Sequence, residues 1–167
     1  YGHTLYKIKH TFQTLKSNSY KGQESTLLHM DPSHIQKITL QVIILVISSS
    51  RTEQEDTAGK AIQKLLEAAH IPIVRTEIIP DNIEAIRDGL TRGLTDANCI
   101  ICTGGTGITH DDCTIEAVKP LLEKTLDGFG ELFRMKSYAE VGTRTVLSRA
   151  IGGVIQGKAV FCIPGSK

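Results

Sequence analysis

The sequence predicts an α/β fold, a three-layer α/β/α sandwich around a mostly parallel β-sheet. One reason is the continuous apolar run near residues 38–48, typical of a strand that is covered on both faces. Another is that later apolar strands alternate with segments of helical periodicity, as βαβ units require. The length of 167 residues with 40% hydrophobic residues fits one domain with its own core.

The elements follow in the order strand, helix, strand, helix, strand. Ile38 to Ser48 is rich in β-branched residues and predicts the first strand. Ile71 to Ile79 predicts the second, with Pro72 at its start, where a missing N–H does least harm. Cys99 to Thr103 predicts the third. Between and after them, apolar residues at helical spacing predict three helices, marked by Ile62, Leu65, Leu66 and Ala69, by Ile83, Ile86, Leu90 and Leu94, and by Ile115, Val118, Leu121 and Leu122.

The segment from Gly152 to Lys158 satisfies the spacing GxxxxGK of a nucleotide-binding P-loop. Ala159, however, replaces the hydroxyl that would bind magnesium. A strand over Ala159 to Ile163 also follows, where a P-loop needs a helix. We therefore reject a P-loop and predict a helix-to-strand connection.

Composition excludes several classes of protein. Nineteen Lys and Arg against eighteen Asp and Glu disfavour a protein that coats nucleic acid or binds membranes through a polybasic surface. The apolar run at 42–47 is far shorter than the roughly 20 residues of a membrane span. Aromatic residues are only 5%, so platforms for stacking bases are scarce. We expect small-molecule ligands, no nucleic acid and no membrane.

Four cysteines, Cys99, Cys102, Cys113 and Cys162, make a poor disulfide framework for a chain of this size and suit a reducing compartment. We therefore expect a cytoplasmic protein. Cys99 and Cys102 have CxxC spacing, but on a strand residues three apart point to opposite faces. They are predicted to be small buried hydrophobic residues instead of metal ligands.

Residues 1–36 show no sustained periodicity and are predicted to be a flexible extension that packs partly on a neighbour. The segment is basic and rich in hydroxyl groups, as transit peptides are, but it contains no Arg. Met30 is a candidate natural start. The predicted domain covers residues 37–167.

The strongest functional signal is the loop after the third strand, Thr103-Gly104-Gly105-Thr106-Gly107. Glycines permit positive φ and close approach of backbone amides, which can form a concave site for an anion. The following helix N-terminus adds partial positive charge. A tight strand-to-helix turn is the alternative. The loop matches neither the Rossmann nor the Walker A pattern.

Two acids, Asp81 and Asp112, each begin the helix that follows a strand. Capping explains both, and Asp81 with Glu84 fits a capping box. Both residues also lie at the carboxyl edge of a parallel sheet, where ligands bind. A carboxylate beside an amide cradle repels phosphate unless a cation bridges them, so the pair suggests Mg²⁺ with a nucleotide. The two roles need not exclude each other.

The glycine loop with Asp112 and Thr114, followed by Gly-Phe-Gly-Glu-Leu-Phe-Arg at 128–134, resembles the MoaB/Mog family of molybdenum-cofactor biosynthesis proteins. Leu-Ser-Arg-Ala at 147–150 with Gly152-Gly153, and Ile-Pro-Gly-Ser at 163–166, extend the resemblance over residues 38–167. It implies a molybdopterin-binding fold, a homotrimer or homohexamer, and adenylylation of molybdopterin by ATP with Mg²⁺. Pyrophosphate is released, and the product then accepts molybdate or tungstate from an insertion protein of the same pathway.

Position by position, the resemblance implies that Asp81 and Asp112 are the catalytic and metal-binding carboxylates. The glycine loop would line the ligand phosphate. The remaining implied binding residues are Ser137 and Ser148 at the pterin and nucleotide site, with Gly165 and Ser166 completing the wall beyond the last strand.

The chain departs from the family pattern in its basic extension before Ile38, which the family does not share, and at two further places. His110-Asp111 stands where the family often has Pro-Arg, which removes a positive charge from a phosphate site. The family also continues into a closing helix after 163–166, so we expect either a truncated chain or an edge covered by a neighbour. Two alternatives to the adenylyltransferase stay open: a molybdopterin-binding scaffold, and a nucleotide pyrophosphatase related to competence-damage-inducible proteins.

Overall fold

The computed structural model describes residues 38–49 and 56–165. Within these ranges the strands and helices alternate as predicted. The strands are β1 (Val42–Ile47), β2 (Ile73–Ile79), β3 (Cys99–Thr103), β4 (Lys124–Thr125), β5 (Ile151–Ile155) and β6 (Lys158–Ile163). The helices are α1 (Thr57–Ala68), α2 (Ile83–Asp96), α3 (Thr114–Val118) and α4 (Asp127–Val141), with 3-10 turns at Lys119–Leu121 and Gly142–Leu147. The predicted extension at 1–36 lies outside the described residues.

The six strands form one sheet in the order β2-β1-β3-β6-β5-β4. β1, β2, β3 and β6 are parallel, whereas β5 runs antiparallel to both of its neighbours. This confirms the mostly parallel sheet. The register places the carboxyl ends of the four parallel strands side by side, at Ile47, Ile79, Thr103 and Ile163. We refer to this end of the sheet as the carboxyl edge.

Helices cover both faces of the sheet, which confirms the three-layer architecture. All six residues of β1 are buried, as a strand between two layers requires. One face packs against α2 and α3, and the other against α1 and the aromatic residues of α4. No helix among the described residues is long and apolar enough to cross a lipid bilayer.

The two cysteines of the CxxC sequence lie on opposite faces of β3, as predicted. Cys99 belongs to the core on the α1 side and Cys102 to the core on the α2 side. Burial, with a smaller contribution from Cys102, raises the pKa of the Cys99 thiol to about 12. The four thiols are free, so these residues pack as small hydrophobic groups.

The predicted connection at 152–158 is wrong, because this segment forms most of a β-hairpin between β5 and β6. Gln156 and Gly157 have φ values of 51° and 72°, and two successive positive φ values suit a two-residue hairpin turn. Gly153 lies within β5, where a Cβ would come 2.4 Å from the carbonyl oxygen of Lys124 in β4. The glycines that suggested a loop are therefore strand residues that allow close packing. A strand still follows them, consistent with rejecting a P-loop.

The helix after the glycine loop is shorter than predicted. α3 ends at Val118, and the chain continues as a 3-10 turn with Pro120 inside it. Proline has no N–H to donate within an α-helix and its ring clashes with the preceding turn, so the α-helical pattern stops here.

Candidate functional site

The glycine loop, residues 103–107, leaves β3 at the carboxyl edge. Gly104 and Gly105 have φ values of 98° and 59°, which confirms the predicted left-handed backbone. A Cβ on Gly104 would lie 2.4 Å from the carbonyl oxygen of Ile47. The loop therefore passes directly over the end of β1, at a distance that only glycine permits.

Backbone and hydroxyl contacts fix this loop to its neighbours. The Gly104 amide donates to the Ile163 carbonyl at 3.1 Å, which joins the loop to the end of β6. The fully buried Thr114 donates from its hydroxyl to the Gly104 carbonyl at 2.8 Å and from its amide to the Gly105 carbonyl at 2.9 Å. Thr103 directs its hydroxyl to the Pro164 carbonyl at 3.5 Å. These contacts hold the loop in one defined conformation.

Asp81 reaches the glycine loop instead of capping α2. Its Oδ2 accepts the Ser49 amide at 2.9 Å, and the Ser49 hydroxyl accepts the Asp81 amide at the same distance. Its Oδ1 lies 2.8 Å from the position of a Cβ on Gly105. The predicted cap is wrong because Asn82, in an extended conformation, caps the helix and accepts the amides of Glu84 and Ala85.

We expect Asn82→Ala to lower the free energy of unfolding by about 1 kcal/mol, since it removes the helix cap. The Asp81 carboxylate keeps its contacts with Ser49, so ligand binding at the glycine loop should be unchanged. Urea unfolding measures the free energy of unfolding, and a titration measures ligand binding at the glycine loop. A loss of binding in step with stability would show that the cap and the site are not separable.

Asp112 turns back over the glycine loop and does not cap α3. Its Oδ2 accepts the Thr109 hydroxyl at 2.6 Å and the Thr109 amide at 2.9 Å. A Cβ on Gly107 would meet the same oxygen at 2.5 Å. The predicted cap is wrong because Cys113 occupies the N-cap position without a side-chain hydrogen bond, and the Asp112 carboxylate is already bound within the loop.

The environment of Asp112 favours its charged form. Burial alone would raise the pKa, but hydrogen bonds from Thr109 and the Gly107 amide outweigh it. Together with the nearby Arg149 charge, they hold the pKa of Asp112 below its ordinary value of 3.8. The Asp112 carboxylate therefore accepts from the Gly107 amide, one of the donors that were predicted to bind an anion. The amides of Gly105 and Thr106 make no hydrogen bond with a described residue.

The two carboxylates flank the glycine loop at the same edge of the sheet. Asp81 contacts the loop at Gly105 and Asp112 at Gly107. Both also act on Cys113 between them: burial first, then the charges of Asp81, Glu116 and Asp112, raise the pKa of that thiol.

No group of three or more His, Cys, Asp or Glu side chains that could hold a metal ion occurs within residues 38–49 and 56–165. Two carboxylates still suit Mg²⁺, which typically takes one or two from the protein and completes its shell with phosphate oxygens and water. The donor set at the glycine loop therefore fits a magnesium–phosphate complex better than an all-protein metal site.

Comparison with known proteins decides the family. The family model described as "Probable molybdopterin binding domain" matches residues 43–167. The chain belongs to this family. Molybdenum cofactor biosynthesis protein B of Staphylococcus epidermidis is 48% identical over 133 residues, which cover 76% of each chain.

Solved structures of relatives have the same fold. A crystal structure of molybdenum cofactor biosynthesis protein B superposes with a TM-score of 0.74 at 45% identity, covering 77% of this chain and 82% of that one. The tungsten cofactor synthesizing protein MoaB from Pyrococcus furiosus gives a TM-score of 0.71 at 39% identity, covering 78% and 85%. Both confirm the molybdopterin-binding fold that the motifs implied.

Within this molybdopterin-binding domain, Arg149 is the site residue to which the sequence assigned no role. Its guanidinium donates to the Thr106 carbonyl at 2.9 Å and to the Asp112 carbonyl at 3.4 Å. Two further donations, at 2.5 and 3.3 Å, bind it to the Glu116 carboxylate. Arg149 thereby connects the glycine loop, at Thr106, and the segment before α3, at Asp112, to Glu116 of α3. The signal was present, since Arg149 is part of the motif at 147–150.

Four other residues were expected to line the ligand site of the family. Ser148 lines a cleft of about 810 Å³ together with Arg149, which donates to the glycine loop at Thr106. Ser137 does not line this cleft; it lies on α4 and donates to the Phe133 carbonyl one turn earlier. Gly165 follows β6 at the carboxyl edge and is half-buried, whereas Ser166 lies outside the described residues. Their binding roles remain predictions.

Proposed function

We propose that this protein acts in molybdenum or tungsten cofactor biosynthesis by adenylylating molybdopterin with ATP and Mg²⁺. In this reaction an oxygen of the molybdopterin phosphate attacks the α-phosphorus of ATP. The bond between the α- and β-phosphates breaks, and pyrophosphate leaves. The proposal draws on the family and on relatives named for molybdenum or tungsten cofactor biosynthesis.

The observation that carries the proposal is the position of two carboxylates on either side of a rigid glycine loop. Phosphoryl transfer needs mainly positioning and neutralisation of charge, so a protein can promote it without a covalent nucleophile. The amides of Gly105 and Thr106 would bind a phosphate oxygen. Asp81 and Asp112 would hold Mg²⁺, which when bound neutralises the phosphate charge and stabilises the leaving pyrophosphate.

The test is to incubate the full chain with molybdopterin, ATP and Mg²⁺ and to measure pyrophosphate. Release that equals the molybdopterin added and depends on it supports the proposal. Binding of molybdopterin without release contradicts it and favours a scaffold. Hydrolysis of a dinucleotide without molybdopterin contradicts it too and favours a pyrophosphatase.

We also expect a homo-oligomer, a trimer or hexamer, located in the cytoplasm and passing its product to an insertion protein. Apolar side chains of α4 and the following 3-10 turn are exposed, including Val146 at 81%, Met135 at 67% and Tyr138 at 60%. Large apolar side chains exposed on neighbouring elements favour a protein interface. Light scattering at micromolar concentration should give the mass of three or six chains; the mass of one chain would contradict the expectation.

A further inference from the structure

We propose that the cleft beside the glycine loop is a second phosphate-binding site, in which Arg134 and Lys119 bind a phosphate group of one substrate. The cleft measures about 810 Å³ and opens between α3, its 3-10 extension and the start of β5. Only the identity of the ligand rests on the proposed function. The chemistry of the site, recognition of a phosphate or diphosphate, does not.

The charge lining this cleft is positive. Three of its lining residues are cations, Lys119, Arg134 and Arg149, and the one lining acid in the described part of the chain is Glu116. Glu116 is already bound through both carboxylate oxygens by Arg149. That ion pair leaves Lys119 and Arg134 without a compensating charge in the cleft. The other walls include apolar side chains such as Ile115 and Ile151, which offer no charge or hydrogen bond that would compete for the two cations.

Arg134 gives the strongest indication of an anionic ligand. It is half-buried, yet its guanidinium makes no hydrogen bond or ion pair with any residue in 38–49 or 56–165. Burying part of a charged group without a partner is unfavourable, so a group in this position favours an anionic ligand. The planar guanidinium presents paired donors that match phosphate oxygens. Asp127 and Glu131 lie with Arg134 around a smaller cavity of about 200 Å³, but neither bonds to it.

Local packing explains how Arg134 reaches the cleft. A Cβ on Gly130 would lie 2.6 Å from the Ala150 carbonyl oxygen and 3.1 Å from Nη1 of Arg134. Glycine at 130 therefore allows α4 to lie against the backbone before β5 and leaves room for the guanidinium. This gives a physical reason for the sequence Gly-Phe-Gly-Glu-Leu-Phe-Arg, whose role in the glycine-loop site is otherwise undefined.

Arg149 links the cleft to the glycine loop. Arg149 lines it while also donating to the Thr106 carbonyl of the glycine loop, and Ser148 lines it as well. The group proposed to bind at Arg134 is a phosphate of a substrate. Molybdopterin and ATP both carry such a group, and the experiment distinguishes them.

The experiment is calorimetric titration of the full chain with inorganic pyrophosphate, ATP and molybdopterin separately. We expect Arg134→Gln to weaken pyrophosphate binding by about tenfold or more, because charge-assisted hydrogen bonds are lost. Lys119→Gln should weaken it less, and Arg134→Lys should restore part of it. Lys64→Gln, an exposed cation on α1, is the matched control and should bind as the unmodified chain does. Circular dichroism confirms that each variant is folded.

The arms of the experiment separate the possible ligands. A loss confined to pyrophosphate and ATP assigns the cleft to the nucleotide, whereas a loss that includes molybdopterin but spares ATP assigns it to the pterin phosphate. Equal affinities in Arg134→Gln and the unmodified chain, or no phosphate binding by either, would overturn the site. A lower oligomer mass with unchanged affinity would overturn it too, by making the cleft a subunit contact. None of these titrations needs turnover, so failure of the proposed reaction would be seen separately.

Discussion

Asp112→Asn is expected to reduce molybdopterin-dependent pyrophosphate release by about 100-fold or more, since a preorganised charge at a transferring phosphate contributes on that scale. Asparagine keeps a carbonyl oxygen that can accept from Thr109, so the loop should retain its shape. The substitution removes the negative charge that would hold Mg²⁺. Turnover should therefore fall much further than stability.

Binding measurements separate a loss of chemistry from a loss of the site. Asp112→Asn should still bind molybdopterin, because the phosphate and not the pterin ring requires the metal. Asp81→Asn should behave in the same way, with its carbonyl oxygen available to the Ser49 amide. Asp111→Asn is the matched control: its side chain is 89% exposed and, among the described residues, pairs only with the exposed His110. We expect that control to keep full activity.

Two results would contradict this assignment. Unchanged turnover in Asp112→Asn would limit Asp112 to ordering the glycine loop through Thr109 and Gly107. An equal loss in Asp111→Asn would indicate a general effect of negative charge near the loop, with no particular role for either flanking carboxylate.

The sequence predicted the strands well where hydrophobicity alone decides the structure. β3 has the predicted ends at Cys99 and Thr103. All five of its residues are buried, and a polar residue and a glycine flank the run, so the hydrophobic pattern marks both ends of the strand. The predicted first strand, at 38–48, is longer than β1. Ile38 is 67% exposed and precedes the first residue of β1. The apolar pattern therefore extends beyond the residues that pair with neighbouring strands.

Side-chain direction could not be predicted from position along the chain. Asp81 and Asp112 each precede a helix, where propensity favours capping. In the structure, Ser49 from another loop binds the first, and Thr109 within its own loop binds the second. These partners depend on tertiary contacts. With these contacts, Asp81 lies at Gly105 and Asp112 at Gly107 of the glycine loop.

The hairpin between β5 and β6 was missed for a local reason. Its first turn residue, Gln156, has φ of 51°, although Asn or Gly is the usual signal for such a turn. The two glycines of β5 also resemble a loop when only composition is considered. Tertiary contacts explain these two glycines, because Phe161 and β4 occupy the space that side chains at these positions would need.

Gly104→Ala is expected to lower the free energy of unfolding by roughly 2–5 kcal/mol, from backbone strain together with overpacking. The residue has φ of 98°, a conformation that residues with a Cβ rarely adopt. The added Cβ would lie 2.4 Å from the Ile47 carbonyl oxygen, and that atom belongs to the backbone of a buried strand. Relief therefore requires movement of the loop or of β1, and urea unfolding measures the cost.

Gly128→Ala provides the matched control because it adds the same methyl group where no atom lies within 4 Å. Gly128 is in the first turn of α4, so alanine there should leave stability unchanged or raise it by about 0.4–1 kcal/mol. If Gly104→Ala instead matched this control, the loop would not pass over Ile47 at the observed distance. The amides of Gly105 and Thr106 would then lack the fixed position that phosphate binding at this edge requires.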